Sequence, residues 1–180
     1  MMSIHLLPLG SANRELVEGL VSPLQVTFRS GVHTREHTLD LEQFYDEQRA
    51  QYNSTQILLS LKSQYEGIAS DDDTKTLAIV PHDLFIPILT YVFGEAEVGG
   101  NVAVVSYYRL DPERYGLPSD RKVLSGRFLK EVVHELGHAH SLVHCATHSC
   151  VMHSSSYVED IDLKGESFCI PCSRALGLAP

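Results

Sequence analysis

Residues 132–152, VVHELGHAHSLVHCATHSCVM, contain five of the chain's ten histidines and two of its four cysteines. Two of these histidines, His134 and His138, stand four apart, a spacing that brings side chains together on one face of an α-helix. The flanking residues agree, because Phe128, Val132, Leu136 and Ala139 recur at intervals of four, four and three, which is one helical stripe facing a core. His-Glu-x-x-His on a helix is a zinc-protease pattern: both imidazoles reach one ion, and the intervening Glu135 can reach a water bound to it and act as general base. His144 adds the strongest constraint. Six residues beyond His138, it would lie about 240° around a continuing helix and face away from the other two. To join them the chain must leave the helix and turn back between 138 and 144. His140 lies on another face of the helix and reads as a surface residue.

Composition narrows the rest. At 180 residues and 43% hydrophobic the chain suits a single domain with a core of its own. Fourteen basic against 23 acidic residues, a formal charge of −9, argue against a nucleic-acid partner, whose affinity rests on lysine and arginine neutralising phosphates. No run approaches the roughly twenty apolar residues that span a bilayer. The opening MMSIHLLPLGSANRELVEGL lacks a basic region before its apolar residues, and Glu15 and Glu18 interrupt them, so the reading has no signal segment, no membrane and a cytoplasmic location. In a reducing compartment four cysteines are thiols or metal ligands more often than disulfides.

Strands and helices alternate along the chain. SIHLLPLG reads as a first strand, SANRELVEGLVSP as a short helix capped by Ser11 with Pro23 beyond its end, and LQVTFRS as a second strand. Residues 31–45 read as loop. STQILLSLKSQYEG, with apolar residues at 57, 58, 61 and 65, reads as a helix stopping at Gly67. Asp71, Asp72 and Asp73 read as a solvated turn before the strand KTLAIVP. HDLFIPILTYVFGEAEVGGN, broken by Pro87, Gly94, Gly99 and Gly100, reads as loop and bent strand, and NVAVVSYYRL as a further strand. DPERYGLPSDRK then leads to a cap at Ser119 and the His-Glu-x-x-His helix.

HELGHAHSLVH resembles the extended zinc signature of the metzincins, H-E-x-x-H-x-x-G-x-x-H, with Ser141 where they carry glycine. That position is where the chain leaves the helix, and a left-handed conformation there costs a non-glycine residue roughly 1–2 kcal/mol. Downstream, Cys145, Cys150 and Met152 followed by Cys169 and Cys172 form H-C-x4-C-x-M with a later C-x-x-C. Together with RAQYNSTQILLSL, DLFIPILTYVFGEAEVGGNVAVVS and KEVVHELGHAH, this pattern is similar to the archaemetzincins, a branch of the metzincin zinc peptidases, over residues 49–172.

The resemblance implies an α/β (α+β) fold: a metzincin-like twisted mixed sheet with backing and active-site helices, plus a small zinc-stapled C-terminal subdomain. One metallopeptidase domain would fill residues 1–180, divided at 144/145 into a part carrying the active-site helix and a part carrying the methionine turn. His134, His138 and His144 would bind a catalytic zinc, Glu135 would be general base, and Met152 would lie beneath the histidines. Cys145, Cys150, Cys169 and Cys172 would bind a second, structural zinc, so that Zn2+ numbers two per chain. The strand bordering the cleft, which pairs with an extended peptide or protein substrate, is expected at 102–106. His148 and His153, beside the cysteines, and Tyr157, after the methionine, read as lesser candidates. His5, His33, His37 and His82 read as structural. Two other readings compete with this one. In the first, a gluzincin-type protease takes Glu159 as its third ligand; in the second, the chain is a non-catalytic, zinc-stabilised binding module. Oligomeric state has no sequence signal.

Overall fold

The structure is a computed structural model describing residues 3–65 and 74–178. Its strands are β1 (Ser3–Pro8), β2 (Gly31–Thr34), β3 (Tyr45–Asp46), β4 (Gln51–Asn53), β5 (Thr74–Val80), β6 (Leu84–Phe85), β7 (Gly94–Ala96) and β8 (Val102–Ser106). The helices are α1 (Arg14–Glu18), α2 (Val21–Phe28), α3 (Ser54–Tyr65), α4 (Arg121–Ala139), α5 (Val158–Leu163) and α6 (Ile170–Ala175). Five strands form a mixed sheet in the order β2-β1-β5-β8-β7. The first four are parallel, and β7 closes one edge antiparallel to β8. A smaller sheet, β3-β4-β6, stands apart from it.

Why the central strands read as unbroken apolar runs follows from their position, since a parallel sheet is covered on both faces. The period-2 alternation of side chains divides them between two cores. Leu77, Ile79, Ala103 and Val105 pack with Leu24 and Phe28 of α2 and with Phe128, Val132, Val133 and Leu136 of α4. On the opposite face Ala78, Val80, Val102 and Val104 pack with Ile57 and Leu61 of α3. The stripe expected on the His-Glu-x-x-His helix is therefore the surface that fixes α4 to the sheet.

Several local expectations need correction. LQVTFRS is not a strand: its first part, through Phe28, lies in α2, whose buried residues Leu24 and Phe28 are one turn apart. Pro23 does not end a helix but sits in the first turn of this one, where a missing N–H breaks no hydrogen bond. The second strand is β2, inside the segment read as loop, and it pairs with β1 from Ser3–Gly31 to Leu6–Thr34. Asn13 rather than Ser11 caps α1, its Oδ1 accepting from the Leu16 N–H at 3.2 Å. Asp120 rather than Ser119 caps α4, accepting from the N–H groups of Lys122 and Val123. Gly67 and the run Asp71–Asp73 lie outside the described residues.

Candidate active site

The site is built on the C-terminal half of α4, which is buried on nearly every side. Glu131, His134 and Glu135 are each no more than 5% exposed. One helical turn apart, the rings of His134 and His138 stand 4.7 Å from centroid to centroid, with their planes at 88°. His134 Nδ1 lies 2.9 Å from the Val151 carbonyl oxygen, and His138 Nδ1 lies 2.8 Å from that of Leu142. A carbonyl can only accept, so both Nδ1 atoms carry the proton and both Nε2 lone pairs are free. Those Nε2 atoms face each other at 3.1 Å. Burial, reinforced by the nearby Lys164 ammonium, lowers the His134 pKa to about 2. Burial also lowers the pKa values of His138 and His144, which favours the neutral imidazoles that a metal requires.

The turn expected between 138 and 144 is present, and its hydrogen bonds identify it. Ser141 has φ +69°. The Ser141 N–H donates to His138 O and the Leu142 N–H to Gly137 O, both at 2.9 Å, which is the Schellman pattern with serine in the left-handed place usually held by glycine. The His138 carbonyl also accepts from the Gly99 N–H at 2.9 Å, so the loop after β7 braces the same turn. Having reversed, the chain brings the His144 ring to 5.3 Å from His134 and 4.9 Å from His138. One ligand atom from each of the three histidines lies within 4.8 Å of the others. Glu159 is exposed in the first turn of α5 and is not part of that group. His140 is not the surface residue expected: it points away from the other three, half-buried against Phe28 with ring centroids 5.3 Å apart.

Glu135 packs against bare backbone. A Cβ added to Gly94 would come within 2.7 Å of Glu135 Cγ and 2.8 Å of its Oε1, so this edge-strand residue must be glycine for the carboxylate to sit where it does. Burial raises the Glu135 pKa well above the carboxylate range; the Glu131 charge adds to this and Lys164 opposes it. Met152, fully buried, lies against Gly137, where a Cβ would collide with its Sδ. Two residues that sequence reasoning missed complete the floor. The Lys164 ammonium, wholly buried, pairs with Glu131 at 2.8 Å and comes within 3.5 Å of His134 Nδ1. Glu131 had a signal, being one helical turn before Glu135. Lys164, an isolated lysine thirty residues from His134, had none.

Glu131, His134, Glu135, His138 and His144 line a cleft of about 550 Å³, with Gly94, Glu95 and Ala96 of β7 on one side and Ser154 to Tyr157 on the other. The strand beside the cleft is therefore β7, not residues 102–106. Those form β8, which is hydrogen-bonded on both sides, to β5 and β7, and has no edge to offer. A carboxylate holds β7 in place: Glu95 accepts from Ser54 Oγ at 2.5 Å and from Thr55 Oγ1 at 2.9 Å, at the start of α3. At the far end the Tyr91 hydroxyl donates to the Ser156 carbonyl, joining the two walls.

Behind the turn the four cysteines converge as free thiols, with no disulfide among them. Cys145 and Cys169 are 3.7 Å apart at sulfur, Cys150 and Cys172 3.8 Å, and all four sulfurs lie within 4.8 Å of one another. A tetrahedron with Zn–S bonds of about 2.3 Å has edges of about 3.8 Å, and one with Zn–N bonds of about 2.0–2.1 Å has edges of about 3.3 Å, so both donor sets fit zinc. Backbone N–H groups of Thr147 and Cys169 point at the sulfurs of Cys145 and Cys150, as they would at thiolates. The first of these contacts brings the Cys145 pKa down to about 7, whereas burial pushes Cys150 and Cys172 up.

Comparison with known proteins agrees with this geometry. The family model for peptidase family M54 matches residues 21–177. The archaemetzincin of Methanocaldococcus jannaschii is 36% identical over 176 residues, covering 97% of this chain and 93% of that protein. Among solved structures, the archaemetzincin of Archaeoglobus fulgidus complexed with malonate superposes with a TM-score of 0.80 at 35% identity, covering 97% of this chain and 99% of that one. A zinc-dependent peptidase from Methanocorpusculum labreanum superposes with a TM-score of 0.86 at 29% identity, covering 96% and 99%. Among the described residues no helix is long and apolar enough to cross a membrane. Sequence and fold match along nearly the whole chain, so it belongs to peptidase family M54, the archaemetzincins, and is a metallopeptidase.

Proposed function

We propose that this metallopeptidase hydrolyses peptide bonds at a zinc held by His134, His138 and His144, with Glu135 as general base, and that Cys145, Cys150, Cys169 and Cys172 hold a second, structural zinc. The observation that carries the reading is the pair of Nε2 atoms 3.1 Å apart, each imidazole fixed in its ligating tautomer by a backbone carbonyl. Bound there, zinc would supply a Lewis acid that polarises the scissile carbonyl and makes water acidic enough to react near neutral pH.

The protein's own groups do the rest. The free edge of β7 binds substrate as an added strand, its backbone amides and carbonyls orienting the peptide beside the imidazoles. A Glu135 carboxylate oxygen takes the proton from the attacking water and returns it to the leaving amine. Burial favours its protonated form, and the carboxylate that must accept this proton is favoured by the Lys164 ammonium and would be favoured further by a bound dication. Gly94 lets that carboxylate sit against the strand where substrate lies. Met152 packs beneath the helix turn that carries the imidazoles. The four cysteines would supply every ligand that a zinc ion takes there, leaving no place for substrate, so the role of this group would be to staple the segment from Cys145 onward.

Glu135→Gln keeps the shape of the side chain and removes its basicity. The expected result is zinc content unchanged by native mass spectrometry, about two ions per chain, with kcat/KM lowered about 10²–10⁴-fold. Undiminished activity would overturn the assignment of the base. His144→Ala separates the ligand sets: loss of one zinc together with activity supports His144, whereas zinc and activity both retained would favour Glu159.

A further inference from the structure

His148, inside residues 132–152, and His153, just beyond them, belong to neither metal group. His148 and His153 lie on the loop that joins the third histidine to the methionine turn, and the fold brings them together. His148 Nδ1 is 3.2 Å from His153 Nε2, with ring centroids 4.7 Å apart and planes at 66°. The other ring nitrogen of His153, Nδ1, lies 2.9 Å from the Cys145 carbonyl oxygen. That oxygen only accepts, so Nδ1 carries the proton and the Nε2 lone pair points at His148. This is the same arrangement of anchored Nδ1 and presented Nε2 that prepares His134 and His138.

The loop between the two imidazoles is braced. The Cys145 N–H donates to the Met152 carbonyl and the His153 N–H to the Cys150 carbonyl, each at 2.9 Å. A ligand joining the rings would therefore find them already together, with little ordering left to do. The separation also fits. With metal–nitrogen bonds of about 2.0–2.1 Å, two nitrogens stand about 2.9 Å apart in a square plane and about 3.3 Å apart in a tetrahedron. The observed 3.2 Å falls between these values. His148 is exposed, so water can complete the coordination sphere.

We propose that His148 and His153 form a third metal site, open to solvent, that takes a divalent transition-metal ion through two imidazoles and water. Imidazole suits nickel, copper and zinc, and two protein ligands make the site weaker than the three-histidine or four-cysteine group. None of its donor atoms belongs to either group, so it stands independently of the assignments made for them.

The test uses the zinc-loaded protein, with Ni2+ as the probe in a calorimetric titration and released zinc followed by a dye. The wild type is expected to take up one nickel more than His148→Ala, or to bind it at least about tenfold more tightly, without releasing zinc. Zinc content and basal peptidase activity should be the same in the two proteins. Equal nickel binding by wild type and His148→Ala would overturn the proposal, as would no uptake by the wild type up to about 1 mM nickel. Uptake matched by zinc release in both proteins would overturn it too, because it would place the nickel in the other groups. Since the result is a difference between two proteins, it does not depend on how many zinc ions those groups hold.

Discussion

At the scale of single residues, Ser141 carries the clearest consequence. It occupies the left-handed position of the turn that delivers His144, and its side chain contributes none of the hydrogen bonds described there. Relieving that conformation is worth roughly 1–2 kcal/mol, from which the greater freedom of glycine in the unfolded chain subtracts about 0.5–1 kcal/mol. Ser141→Gly is therefore expected to stabilise the protein by up to about 1 kcal/mol, raising Tm by about 2–4 °C in a thermal scan. A lower Tm would mean that the serine makes a contact outweighing its backbone strain. The residues of the candidate site were legible for a local reason: His134, Glu135 and His138 declare themselves through helical spacing, and His144 through the turn it requires. His140 was misread because periodicity places it off the helix face shared by His134 and His138 but cannot say that Phe28, from another helix, covers it. Gly94 was legible only as a break in a strand. That it clears space for Glu135 depends on sheet order, which no local pattern carries.

At the scale of elements, the sequence resolved long helices well and short elements poorly. α3 buries one face over its length, and α4 repeats Phe128, Val132, Leu136 and Ala139 along the stripe that meets the sheet, so their period is unmistakable. α2 has eight residues, contains β-branched Val21, Val26 and Thr27, and carries a proline that looked like a stop, so local propensity pointed to a strand where packing of Leu24 and Phe28 made a helix. The choice of 102–106 as the cleft strand failed for a related reason: an apolar run marks a strand as buried without saying which neighbour stands outside it. Contacts between distant elements are invisible at this level, and the Lys164–Glu131 pair is the most consequential, because it joins the end of α5 to the middle of α4. Removing one member of a buried pair leaves the other charge unpaired, at about 3–5 kcal/mol. Lys164→Met should thus lower Tm sharply, and adding Glu131→Gln should restore much of the loss. A double variant no more stable than Lys164→Met alone would show that the lysine's packing, rather than its charge, is what matters.

At the scale of the whole molecule, the two donor groups are joined by a single peptide bond, since Cys145 follows His144 directly. The cysteine group reaches from that bond to α6, and the Cys145 N–H is held by the Met152 carbonyl beneath the active-site helix. A filled four-thiolate shell would fix Cys145, and with it the approach of His144, which is exposed and of the three histidines has the least protein around it. The two sites should then be coupled, so that the strain at Ser141 is held down partly from the far side of the loop. Cys169→Ser tests this, because that residue lies outside the loop and is not among those lining the cleft. Weakening the cysteine shell there is expected to lower zinc affinity at the three histidines as well, by about tenfold for each 1.4 kcal/mol of lost bracing. The readout is peptidase activity titrated against a competing chelator, with metal content measured alongside. If the variant loses the structural ion but retains activity at the same free zinc as the wild type, the turn holds without its staple and the coupling is refuted. If both ions become easier to remove, the crowding of ligands into residues 132–152 has a physical reason, with the closed site serving to place the third ligand of the open one.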